Sequence, residues 1–350
     1  MFENDSKNHH YIAQVQQKMN AINPDLDKKK RKIYKFKVVD KESSELSLIE
    51  EEGVLIESNL SFQDLYTFKV LGYKYRKNFE KLFKVYEDNL EKYSKEFFNK
   101  INRGEDNITL EIANIFLYHF MNMVRNPLTI KDSIILFDSV IYKYIKSNMY
   151  NHEELEEVQN IENSDIEKIC YKYSINKEEY KKWMLIIFLF VGNRKDNKEK
   201  LIESVVKNIF NNKNSWKEFT IGCYSGKNYC LLSDKGYNMY STNDAFLYFD
   251  INVMKNVFIN LVLVKNDAII DSNLISEMQS SFGFDDEQVK YFKEYLKNTT
   301  FDNMLSKNIK ANLIRDDLLL LASYNQRTIQ NCHEHVFGAS KKYEGVTLSL

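Results

Sequence analysis

The chain has 350 residues, 43% apolar and 14% aromatic, enough to close a large core over one big domain or two ordinary ones. Its 49 Lys and Arg balance 50 Asp and Glu, and the resulting net charge of −1 excludes bulk electrostatic attraction to DNA or to a membrane surface. Four scattered cysteines, Cys170, Cys223, Cys230 and Cys332, lack C-x-x-C spacing, which argues against a disulfide framework and a zinc ribbon.

Residues 1–20 are polar and lack the apolar stretch of a secretory signal, so an intracellular, cytoplasmic protein is expected. They carry the adjacent pair His9-His10. Histidine titrates nearest neutrality and is the commonest metal ligand. Neighbouring side chains on an extended segment point to opposite sides, so one metal could hold both only if the chain turned there. A polar tail is the competing reading. The run Lys28-Lys29-Lys30-Arg31-Lys32 follows Pro24 and reads as a solvated turn. Alternation over 32–39, with Ile33, Phe36 and Val38 inward, and a second extended stretch at Glu45–Ile49 predict a β-hairpin. Val54-Leu55-Ile56 is a candidate third strand.

From about residue 76 the period lengthens. Phe79, Phe83, Tyr86, Leu90, Tyr93, Phe97 and Ile101 form one stripe of a long helix, with Glu80–Lys84 and Glu91–Lys95 as outer i,i+4 pairs. After a break at Arg103–Asn107, a helix over 109–125 is apolar nearly all round. Pro127 forces Asn126 to extended geometry and ends it. Further helices are predicted at 131–147, 152–162, 165–173, 177–191 and 195–211. The longest apolar run, Trp183–Val191, falls well short of the ~20 residues of a spanning helix.

A second β region opens near Trp216. Phe219, Ile221 and Cys223 alternate, as do Tyr229, Leu231 and Ser233, predicting a hairpin turning at Ser225-Gly226. Residues 258–264 read as a buried strand, and helices follow at 272–281, 285–297 and 311–336. Strands, helices, strands, then helices make an α+β protein, predominantly α-helical, with a small antiparallel sheet built from the N-terminal hairpin and the late strands. The expected organisation is one compact domain over 1–350: a β segment 1–70, a helical middle 76–212, a second β region 216–265, C-terminal helices 272–337 and a tail 338–350.

The chain contains no glycine-rich nucleotide fingerprint, nucleophile elbow, H-E-x-x-H or acidic metal motif. The chemistry that is present is dispersed. His119, Asn122 and Arg125 share a helix face, and Arg125 must find an acid or an anion, a structural salt bridge being the commoner outcome. Ser233-Asp234-Lys235-Gly236 follows a strand, where Asp234 is either a turn residue or a catalytic acid. Arg327 and His333 have the Arg…His spacing of the helical ribonucleases called HEPN, without the residue usual directly after Arg there, Thr328 standing in its place. Chance is the favoured explanation of that pair.

Five short segments together resemble a bacterial domain-of-unknown-function family, number four-two-three-eight. They are His9-His10-Tyr11-Ile12-Ala13-Gln14, Gln63-Asp64-Leu65-Tyr66-Thr67, Arg125-Asn126-Pro127, Ser233-Asp234-Lys235-Gly236, and Asn325 with Val336-Phe337-Gly338. Glu80 and Glu87 resemble the acids of its first long helix. Ala13 and Gly236 replace the family's prolines, and Val15, Gln16 and Gln17 replace its aromatic and aliphatic residues. Some members of that family look like single-gene antiphage defence factors. The resemblance implies a shared polar site of His9, His10, Arg125, Asp234 and Asn325: a base or ligand, an anion clamp and an acid, with a divalent metal as a possible cofactor. It is compatible with phosphate-ester chemistry on nucleic acid or a nucleotide, with a phage component as a possible trigger and no membrane partner. The alternative is a non-enzymatic sensor or binding module in which the His-His signature pins the N-terminus.

Overall fold

The computed structural model describes residues 7–70, 77–145, 149–162, 165–195, 199–212, 215–242, 246–265, 286, 290 and 311–349. In chain order, β1 (Asn8–His10) and α1 (Gln14–Met19) precede the hairpin β2 (Lys32–Asp40) and β3 (Glu45–Leu48). Short strands β4 (Val54–Leu55), β5 (Ser61–Gln63), β6 (Thr67–Val70) and β7 (Lys77–Asn78) follow. The helical middle is α2 (Glu80–Asn102), α3 (Thr109–Arg125), α4 (Ile130–Ile145), α5 (His152–Gln159), strand β8 (Ile161–Glu162), α6 (Ile166–Tyr173), α7 (Lys177–Val191) and α8 (Leu201–Asn211). Then come β9 (Ser215–Cys223), β10 (Leu232–Ser233), β11 (Asn238–Thr242), β12 (Phe246–Met254), β13 (Val257–Lys265), β14 (Ala311–Arg315), α9 (Leu318–Asn331), β15 (His335–Gly338) and β16 (Thr347–Leu348). The fold is mixed α+β, mainly helical, with small, largely antiparallel sheets.

The helices follow the apolar periodicity. Phe83, Tyr86, Leu90, Phe97 and Ile101 are buried along α2, which packs on α3. At the end of α3, Asn126 is extended before Pro127, and its side chain accepts the Leu128 N–H. α7 is opened by a capping box between Asn176 and Glu179 and is buried continuously from Trp183 to Val191. That run is a central helix, and no helix among the described residues is long and apolar enough to cross a membrane. α8 begins at Leu201 rather than near 195, behind the reciprocal Lys200–Glu203 cap.

Strand pairing differs more from the sequence reading. β4 pairs with the start of β2, but Ile56 opens a 3-10 turn instead of extending the strand. No hairpin joins 219–223 to 229–233. Both edges of β9 are occupied, by antiparallel β13 and parallel β14, so Leu232-Ser233 crosses to pair with β15. The late strands thus form a five-stranded sheet, β11-β12-β13-β9-β14, while the N-terminal hairpin recruits β10, β15 and β16. The single helix expected over 311–336 is three elements. Asp316 adopts a left-handed φ of 53°, and Asp317 caps α9 by accepting from Leu319 and Leu320, so the helix cannot start earlier. The helices expected at 272–281 and 285–297 lie outside the described residues, single positions 286 and 290 aside. One hydrophobic cluster runs from Tyr11 to Phe337 and draws on the N-terminal segment, the helical middle and the second β region.

Candidate functional site

β1 lies antiparallel to β5, with His9 opposite Phe62 and His10 opposite Ser61. Strand alternation sends the two histidines to different fates. His9 is fully buried. Its ring stacks on Tyr66 at 5.5 Å and its Nδ1 accepts the Tyr66 N–H at 3.0 Å. The Tyr66 hydroxyl in turn donates to the Arg125 carbonyl at 2.9 Å. His10 faces a cleft of about 410 Å³ whose walls are Asn8, His10 and Gln14 on one side and Glu80, Glu87 and Glu91 of α2 on the other, with Lys28 also lining it. His10 Nε2 lies 3.1 Å from the Glu57 carbonyl, which can only accept, so Nε2 carries the proton. Nδ1 is then the ring's acceptor; the Gln14 amide nitrogen lies 3.4 Å from it and 3.2 Å from Nε2. Burial lowers the His10 pKa below its ordinary 6.5, favouring the neutral ring.

Beneath the cleft lies Arg125, with no exposed surface. Glu87 accepts its Nη1 at 2.6 Å, the Asn122 amide oxygen is 3.4 Å from its Nε, and its guanidinium lies 4.8 Å from the Phe83 ring centre. The negative charge of Glu87 keeps it protonated in spite of its burial. Glu80 sits two helical turns before Glu87. Desolvation pushes its pKa up to about 8, even against the opposing pull of Arg125, so its carboxyl is largely protonated at neutral pH. The Tyr118 hydroxyl donates to Gln16 Oε1 at 2.9 Å and accepts the Ala13 N–H at 3.3 Å. Three buried atoms around this floor have no hydrogen-bond partner: Glu80 Oε1, Arg125 Nη2 and Gln16 Nε2. Buried polar atoms are satisfied in the great majority of cases, so these three leave room for water or another polar group.

Glu80 is therefore not an outer-face partner of Lys84. The N-terminal segment covers that side of α2 and turns the carboxyl inward. Glu91 does pair with Lys95, and it also bridges to Lys18, both at 2.7 Å.

Asp234 and Asn325 are held elsewhere by backbone groups. The Asp234 carboxylate accepts the N–H groups of His333, Glu334 and His335 at 2.7, 2.8 and 2.8 Å, closing the turn between α9 and β15. The 233–236 turn is pinned to α3. Asn126 donates to the Asp234 and Lys235 carbonyls, Asn122 donates to Lys235, and His119 Nδ1 meets the Gly236 carbonyl at 3.0 Å. Gly236 has a φ of 81°, and a Cβ there would come within 2.5 Å of Asn122. Asn325 accepts the Leu231 N–H at 2.9 Å and donates to the Tyr229 and Glu344 carbonyls at 3.4 and 3.1 Å. Of the five expected site residues, His10 lines the cleft, Arg125 is buried behind it against Glu87, His9 is buried against Tyr66, and Asp234 and Asn325 lie outside it. Arg327 forms a buried ion pair with Asp250, at 2.9 and 3.4 Å, and does not open into a groove with His333. Among the described residues no three His, Cys, Asp or Glu side chains gather to hold a metal, so the divalent ion has no donor set there.

Glu80, Gln14, Gln16 and Tyr118 were not among the expected site residues. The seven-residue step from Glu80 to Glu87, flanking Phe83 of the apolar stripe, was a readable signal. Tyr118, inside an apolar helix, carried none. The chain matches no family model, no curated protein and no solved structure, so the geometry of the cleft is what carries a functional reading.

Proposed function

We propose that this chain is an acid–base hydrolase of nucleotide or nucleic-acid phosphate esters, serving inside the cell as a defence effector. The observation that carries the chemistry is a protonated Glu80, one of whose carboxyl oxygens has no partner among the described residues, lining the same polar cleft as His10 in front of the buried Arg125–Glu87 ion pair. The buried positive charge of Arg125, held in place by Glu87, draws the phosphoryl group toward the cleft floor. His10 Nδ1 takes a proton from the attacking water as its oxygen bonds to phosphorus. Glu80 gives its proton to the leaving oxygen as the ester bond breaks. The nucleotide character of the substrate and the defence setting rest on the resemblance of the five short segments.

The test is hydrolysis of bis(p-nitrophenyl) phosphate and of a short oligonucleotide across pH. The expected profile is bell-shaped. Its rising limb lies below pH 6.5, where His10 loses its proton, and its falling limb lies near pH 8, where Glu80 does. His10→Ala and Glu80→Gln, folded, should each lose about a hundredfold or more. In cells, phage protection should be lost in His10→Ala while soluble protein persists. A binding module is the second reading, favoured by the structural engagement of His9, Asp234 and Asn325. It is the outcome if folded wild-type protein hydrolyses neither ester.

A further inference from the structure

A second cleft, of about 700 Å³, separates the 227–229 segment from the C-terminal stretch around residues 340–348. Its lining includes Lys227, Tyr229, Lys341, Lys342 and a single acid, Glu344, the reverse of the acid-rich cleft at His10. For a chain of net charge −1 that is a marked segregation of charge. Lys341 is spent on Glu51 and lies 5.6 Å from the Tyr34 ring centre. Lys227 and Lys342 are exposed and make no ion pair among the described residues. Tyr229 is half-buried, and Lys255 Nζ stands 5.4 Å from its ring centre, in cation–π range, adding a third cation beside the ring.

The two walls are tied together from below. Buried Asn325 donates to the carbonyls of Tyr229 on one wall and Glu344 on the other. Gln326 adds a bond to Gly345, and Tyr343, buried edge-on to Phe36, accepts the Ser340 N–H. A fully buried amide spanning both walls keeps the aromatic face and the lysines at a fixed separation. We propose that this cleft binds nucleoside phosphates, with a base stacking on Tyr229 and phosphates meeting Lys227 and Lys342, and that Asn325 is its positioning residue. An aromatic platform beside exposed cations suits single strands, because every base has a π-face and every nucleotide a phosphate.

The test is fluorescence anisotropy with a labelled single strand of about 12 nucleotides, and competition by ATP, at several salt concentrations. Wild type should bind the strand. Tyr229→Ala should weaken binding about tenfold. Lys227→Glu and Lys342→Glu should each weaken it similarly and flatten its salt dependence by about one ion. Thermal melts confirm that these surface variants are folded. Competition by ATP assigns the cleft to free nucleotides, and strand binding that ATP does not displace assigns it to nucleic acid. The proposal is overturned if folded wild type binds neither probe, or if Tyr229→Ala and both lysine variants bind as wild type does. Binding abolished by His10→Ala and untouched by Tyr229→Ala overturns it too, placing the ligand in the first cleft. Loss of hydrolysis with strand binding intact would instead refute only the proposed chemistry.

Discussion

The substitution Glu80→Gln keeps the shape of its side chain and removes its titration. The carboxyl is raised from 4.5 to about 8, so keeping it neutral in the folded state costs stability at every pH where the unfolded chain would ionise it. Glu80→Gln is expected to raise stability at pH 7 by about 3 kcal/mol, read as a higher urea midpoint, while abolishing hydrolysis. A residue that only supported the fold would lose stability, not gain it. The two histidines should separate just as cleanly. His9→Ala removes a buried ring stacked on Tyr66 and the acceptor for its N–H, and should cost about 2 to 3 kcal/mol. His10→Ala, at the cleft wall, should cost less than about 1 kcal/mol, read from the urea midpoint. Adjacent residues of one type therefore do different work, and only strand alternation distinguishes them.

Elements whose identity is local were legible in the sequence. The stripes of α2 and α3, the Pro127 stop and the β2–β3 hairpin follow from side-chain period and backbone chemistry alone. Elements whose identity depends on distant partners were not. The segment 229–233 alternates as a strand, but β13 and β14 have already filled both edges of β9, so it joins β15 instead. β15 itself reads as the end of a helix until Asp234, a hundred residues away in sequence, collects three consecutive N–H groups at its start. The same contact shows what the strand-end aspartate, read as either a turn residue or a catalytic acid, is engaged in: its carboxylate is occupied by backbone N–H groups. Asp234→Ala leaves those three donors with no acceptor and should destabilise the chain by about 3 kcal/mol, lowering the yield of soluble protein. Hydrolysis per folded molecule should be unchanged. A specific-activity measurement on the soluble fraction checks this, and a fall in specific activity would bring Asp234 back to the chemistry.

At the scale of the whole molecule, buried titratable groups of opposite kind set where in pH the fold is most stable. His119 is lowered by burial to about 3, so the folded state refuses a proton that the unfolded state accepts below 6.5. Its contribution is complete above pH 6.5 and is lost as pH falls toward 3. His10 and His335, both lowered from 6.5 by burial, act in the same direction. Glu80 acts oppositely. Its contribution is complete below 4.5 and is lost as pH rises to about 8, at about 1.4 kcal/mol per pH unit. Between 4.5 and 6.5 the Glu80 slope offsets that of His119, and the other two histidines tilt the balance toward higher pH. Above 6.5 the histidines are neutral in both states and Glu80 alone remains. Stability should therefore peak near pH 6.5 and fall by about 2 kcal/mol on going to pH 8. Urea titrations at a series of pH values measure this curve directly. In Glu80→Gln the alkaline arm should vanish, leaving stability flat from 6.5 to 8 and falling only in acid. If the variant keeps the wild-type alkaline arm, Glu80 is ionised in the folded protein, and the proton assigned to the leaving oxygen is not there to give.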